Sequence, residues 1–185
     1  MLLTNQQKTI LEMLEKLGGA RTDQLITLLR PVYCACKPEA APQIVRAAIR
    51  QLFVCNIPLC KDGDTVYLPG RKPTMAQLEA VDVMLELSGG APMDFIRGEA
   101  PILLRFTAQK RKERLFCITT ADAAPCAAAL APTERVILLF DGQRPRRALP
   151  VSNKQIYAVR QGDGIHRFYV CGEEGGDLYA EKDNR

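Results

Sequence analysis

Gln43, Arg46 and Arg50 recur at spacings of three and four residues, so on a helix they fall along one stripe. Two arginines and an amide in that arrangement are the groups that grip phosphates or read base edges. Arginine pairs with guanine edges or phosphate oxygens, and glutamine adds secondary readout. Ala47 beside the stripe is small enough to allow close approach, and Gln51 lies at its edge. The same residues would also serve an ordinary amphipathic helix whose arginines only solvate its outer face.

Residues 42–54, PQIVRAAIRQLFV, must carry that stripe. Pro42 suits the first helical turn, where a missing N–H costs nothing. Ile44, Val45, Ala48, Ile49, Leu52 and Phe53 then repeat at helical spacing and form the opposite, apolar face. Two further helices precede this one. Thr4 and Gln7 have capping-box spacing, Ile10, Leu11, Leu14 and Leu17 form a stripe, and Gly18-Gly19 stops the helix. Thr22 and Asp23 open the next, with Leu25, Ile26, Leu28 and Leu29 inward and Pro31 expected to end it. Residues 31–41 make a long connection.

After the third helix, Asp62-Gly63 predicts a two-residue hairpin turn, with residues 66–68 as the return strand. Pro58 confines the outgoing strand to an edge or a bulge. Three helices followed by a hairpin is the order of a winged helix-turn-helix domain. Lys61 near the hairpin tip, Arg71 and Lys72 just beyond it, and Thr22 at the start of the second helix would then contact the phosphates flanking a groove.

The rest of the chain reads as α+β. A helix over 74–87 ends at Ser88-Gly89-Gly90; its acidic Glu79, Asp82 and Glu86 are expected to be exposed and to repel DNA. It would join two halves or pair with a second chain; because two-fold DNA sites need two protein copies, a homodimer is the expected assembly, with this helix as a candidate contact. Residues 91–101 read as a loop. Residues 102–107 and 115–120 read as a hairpin with a basic tip at Lys110, Arg111, Lys112 and Arg114. A short alanine-rich helix over 122–130, a buried central strand over 135–140 and a second hairpin over 154–170 follow, before a frayed final dozen residues. The expected division is 1–73, a connecting helix at 74–90, and a small mixed αβ sheet domain at 91–185.

Composition sets the class. The chain has 185 residues, 47% hydrophobic and 25% charged, with no apolar run long enough to span a bilayer, and its first residues, MLLTNQQKT, lack the basic end and apolar run expected of a secretory signal. A cytoplasmic protein is expected. Residues 1–73 carry ten Lys/Arg against six Asp/Glu, so the basic excess gathers around the arginine stripe and favours a polyanionic partner, double-stranded DNA. The seven cysteines are expected to be reduced and mostly buried. Four of them, Cys34, Cys36, Cys55 and Cys60, suffice in number for zinc but lack the usual Cys-x-x-Cys spacing, so no metal and no cofactor is expected.

Catalytic patterns are missing. Neither G-x-x-x-x-G-K-[ST] nor G-x-G-x-x-G occurs, and His166 reads as a half-exposed strand residue without a fixed partner. A metal-dependent nuclease needs clustered carboxylates. Asp94, Glu99 and Glu113 surround the hairpin of residues 102–120, but its second strand reads Leu115-Phe116-Cys117-Ile118-Thr119, and Asp141 stands alone at a strand end. The expectation is a protein that is not an enzyme.

The segments LTNQQKTILEMLEKLGGARTDQL, VRAAIRQL and RVILLFDG, in this order, resemble the replication-relaxation-like proteins of Firmicute plasmids and mobile elements. That resemblance implies a winged-helix DNA-binding half joined to a nuclease-like sheet, in proteins tied to replication or transfer of an element. It carries over to Gln43, Arg46 and Arg50. The family's sheet can bear acidic residues that this chain lacks on the matching strand, which implies a degenerate, binding-only restriction-endonuclease-like fold. Two rival functions remain: a winged helix that binds another protein in a replication or conjugation complex, and a sensor whose αβ half takes a small molecule.

Overall fold

Helix α1 (Asn5–Leu17) begins where its free amides are met. The Thr4 hydroxyl accepts the Gln7 N–H at 3.3 Å while the Gln7 side chain accepts the Thr4 N–H at 2.8 Å. It ends at Gly18, whose φ of 80° suits glycine alone. Gly19 then opens β1 (Gly19–Arg21), and a Cβ there would lie 2.6 Å from the Tyr67 Cβ, so only glycine permits this approach. Next come α2 (Thr22–Tyr33), a 3-10 turn at Pro38–Ala40, α3 (Ala41–Val54), β2 (Cys60–Asp62) and β3 (Thr65–Tyr67). The three strands form an antiparallel sheet in the order β1-β3-β2.

The computed structural model describes residues 2–34, 37–110, 112–140, 155–171 and 178–180, and of residues 109, 110, 112, 113, 170, 171 and 178–180 the backbone alone. Beyond β3 lie α4 (Met75–Ser88), β4 (Asp94–Arg97), β5 (Ile102–Lys110), β6 (Lys112–Thr120), α5 (Ala124–Leu130), β7 (Arg135–Phe140), β8 (Gln155–Arg160), β9 (His166–Cys171) and β10 (Leu178–Ala180). The described residues thus form an α+β fold with five α-helices and two sheets. None of these helices is long and apolar enough to cross a membrane.

The larger sheet runs β10-β9-β8-β7-β6-β5-β4, with β6, β7 and β8 parallel and the other pairings antiparallel. Strand β7 is at its centre and is buried on both faces, which explains its unbroken apolar run. One face (Phe106, Phe116, Ile118, Ile137, Leu139, Ile156) packs in a core shared with α4 and with the N-terminal helices. The other face, including Cys117, Val136, Leu138 and Tyr157, is covered by Ala124, Ala127 and Ala131. Helix α4 lies between the sheet on one side and α2 and β1 on the other, so it is apolar almost all round and buries Leu78, Ala80, Val81, Val83, Met84 and Leu85.

Several expectations change. Pro31 does not end α2, which continues to Tyr33 because the Tyr33 hydroxyl reaches the Asn5 carbonyl at 3.1 Å and the Thr9 hydroxyl at 2.6 Å, holding the last turn on α1. The first hairpin turns at Gly63-Asp64, one residue later than expected: Asp62 pairs with Thr65, and Gly63 takes φ 56° at the first central position. Residues 91–101 hold the edge strand β4, and the final dozen contains β10, paired with β9. The apolar residues of α4 named above are buried within this one chain, so they present no open face to a second copy.

Candidate nucleic-acid interface and a buried charge cluster

Helix α3 buries Val45, Ala48, Ile49 and Leu52 against α1 and α2, and that contact fixes what it shows outward. Gln43, Arg46 and Arg50 are all exposed, as the spacing requires. Neither arginine has an ion pair or a hydrogen bond to another described residue. Gln51 is exposed but faces the neighbouring helix, where its side-chain oxygen accepts from the Gln7 amide at 3.2 Å.

Around the hairpin the expected phosphate contacts divide. Lys61 is exposed on β2 and has no ion pair among the described residues. Lys72 is held by Asp62 at 2.6 Å, and this hydrogen bond and charge raise the lysine's pKa and lower the aspartate's. Arg71 donates to the Glu15 carbonyl at 3.2 Å. Thr22 is committed to the turn, its hydroxyl and its N–H each donating to the Asp64 carbonyl at 2.9 Å. The hairpin therefore presents Lys61 together with Asp62 and Asp64, a mixed rather than basic surface.

Elsewhere on the sheet, Arg114 is exposed, the side chains of Lys110, Lys112 and Glu113 lie outside the described residues, and so do Arg111 and Asp141. Asp94 pairs with Lys16 at 2.8 Å; that bond, and then the Phe95 N–H, hold its carboxyl below the usual range. Glu99 is exposed. Cys34 is buried at the end of α2, Cys55 follows α3, Cys60 opens β2, and Cys36 lies outside the described residues. Among the described residues no three His, Cys, Asp or Glu side chains are placed to hold a metal.

The largest correction concerns His166 and the acids of α4. His166 opens β9 with its side chain 0% exposed, between two carboxylates about two turns apart on one face of α4: Nδ1 is 3.0 Å from Glu86 and Nε2 is 3.1 Å from Glu79. Glu86 also accepts the His166 backbone N–H at 3.0 Å. Burial disfavours the ring's charge, yet the hydrogen bonds and charges of Glu86 and Glu79 outweigh it, and the pKa is raised above the ordinary value.

Asp82, between these two acids on the same stripe, accepts from Arg21 at 2.5 Å and from Gln24 at 2.7 Å. Gln24 is 1% exposed and fully engaged, donating also to the Leu78 carbonyl and accepting the Arg21 N–H. Glu79, Asp82 and Glu86 are thus internal fasteners rather than a solvated face. The spacing carried a usable signal: acids on a helix that is apolar nearly all round must meet cations from the elements packed on it.

A cleft of about 630 Å³ opens at the carboxyl ends of the parallel strands, between Thr120, Phe140 and Arg160 on the sheet and Arg21 and Glu79 opposite. Clefts at that end of parallel strands are common ligand sites. The residues that follow Phe140 lie outside those described. No family model, curated protein or solved structure matches the chain.

Proposed function

We propose that residues 1–73 form a winged helix-turn-helix that binds duplex DNA through α3, and that residues 91–185 are a non-catalytic companion sheet joined to it by α4. The order α1-β1-α2-α3-β2-β3, with its small antiparallel sheet, supports the winged-helix reading. One observation carries the binding: Gln43, Arg46 and Arg50 stand exposed on one stripe, with both arginines unpaired among the described residues. In this reading α3 enters the major groove, Arg46 and Arg50 meet guanine edges or phosphates, and Lys61 meets a flanking phosphate. Two-fold sites would take two copies of the chain. Following the resemblance, the process served is replication or transfer of a mobile element, and the sheet is a degenerate restriction-endonuclease-like fold.

A second reading is favoured by Asp62 and Asp64, which leave the hairpin mixed rather than basic where DNA phosphates would pass. There the same helix captures a protein partner. Fluorescence anisotropy of a labelled duplex across a salt series separates the two. Steep salt dependence, with most affinity lost in an Arg46→Ala, Arg50→Ala variant, supports DNA. Absence of binding at low salt refutes the DNA reading.

A further inference from the structure

The His166 ring has an acceptor at each nitrogen, and the backbone N–H of the same residue occupies a third carboxylate oxygen. A neutral imidazole carries one N–H and can serve one carboxylate; the imidazolium serves both. With a neutral ring, a nitrogen lone pair would face a carboxylate inside the fold. The two glutamates are on α4 and the histidine begins β9, far along the chain, so this three-residue unit joins two separate elements.

We propose that Glu79, His166 and Glu86 form a protonation-dependent clasp that fastens the β8–β9 hairpin to α4 and loosens it as pH rises. The other charges near the clasp are accounted for. On α4, Asp82 is occupied by Arg21 and Gln24. From β1 and α2, Arg21 and Asp23 are paired with each other at 3.2 Å. On β8, Arg160 pairs with His166 across the ladder and is exposed; on β9, Arg167 is exposed; in the turn, Asp163 is exposed and accepts the Ile165 N–H. Neither Glu79 nor Glu86 has a bond to any of these cations among the described residues, so His166 is the group that neutralises them.

The sign follows from the raised pKa. Stabilisation is complete below the unfolded value and is lost as pH climbs through the folded value. Because Asp82 on the same helix seats Arg21 and Gln24, the clasp also links β9 to the helix that positions α2. The proposal does not depend on whether α3 binds DNA.

The chain has one histidine, so the ring signals in an NMR titration belong to His166 alone. The expected result is a ring midpoint above the ordinary value of about 6.5, with both nitrogens protonated below it. Amide hydrogen exchange across residues 165–169, corrected for intrinsic rates, provides the second readout. Protection should fall by up to about tenfold per pH unit between the ordinary value and the folded midpoint, then level off. His166→Gln, which cannot titrate, should show no such slope; should it fail to fold, Glu79→Gln should lower the ring midpoint instead. A wild-type ring that titrates at or below 6.5, or protection that is independent of pH, overturns the proposal.

Discussion

Replacing Asp82 with alanine removes one carboxylate oxygen that serves two donors, the Arg21 guanidinium and the Gln24 amide. Gln24 is 1% exposed with Asp82 in place, so the amide N–H that loses Asp82 is left without a protein acceptor, while its other N–H keeps the Leu78 carbonyl. An orphaned buried donor costs about 1–3 kcal/mol. Arg21 is partly exposed and keeps Asp23 at 3.2 Å, so its loss adds only about 1 kcal/mol. The sum is about 2–4 kcal/mol. For a chain of this size that lowers Tm by roughly 4–16 °C. Urea unfolding followed by circular dichroism reads the same quantity as a shift in midpoint at constant slope. Asp82→Asn keeps an acceptor for Gln24 and removes only the charge, so it should cost about half as much. Were Asp82→Ala to stay within about 0.5 kcal/mol of wild type, the reasoning that the stripe fastens α2 to α4 would be refuted.

Three other outcomes are expected. If Arg46 and Arg50 both contact phosphates, the double alanine variant should flatten the slope of log affinity against log salt by about 1.8; contacts to guanine edges would leave the slope nearly unchanged, and anisotropy distinguishes these. Asp62→Asn should free Lys72 and remove an acid from the hairpin, so duplex affinity should rise and the salt slope steepen by up to about 0.9; weaker binding would exclude the hairpin as a phosphate contact. The Cys117 thiol is pushed up to about 11, by burial first and then by the charge of Glu134, whereas Cys126 is exposed; alkylation at pH 8 read by mass spectrometry should modify Cys126 long before Cys117.

Much of the architecture was legible because its signals are local. The Thr4–Gln7 capping box, the glycine stop at Gly18, the start of α3 at a proline, the apolar run of β7 and the hairpin of β8 and β9 each involve residues a few positions apart. Short strands without a turn signal beside them were not legible. β1 and β10 have three residues and β4 four, too few for an alternating pattern, and their pairing is decided by β3, β9 and β5. The turn shift to Gly63-Asp64 has the same cause, since the register of β2 on β3 is set by the whole hairpin and its contact with β1.

For the candidate sites the division is sharper. Sequence alone determined that Gln43, Arg46 and Arg50 share one outward stripe, because helical periodicity and the burial of Val45, Ile49 and Leu52 leave no alternative. It did not determine that Lys72, Arg71 and Thr22 are already engaged within the chain, since Glu15 and Asp64 are brought to them only by folding. Nor did it reveal the clasp. Glu79, Asp82 and Glu86 look like a solvated acidic face until α4 is seen with elements packed on both sides. His166 looks partnerless until β9 is laid against that helix, 80 and 87 residues away in the chain. Local pattern states which side chains share a face, but a buried charge needs a counter-charge from another element, and only the tertiary structure supplies it.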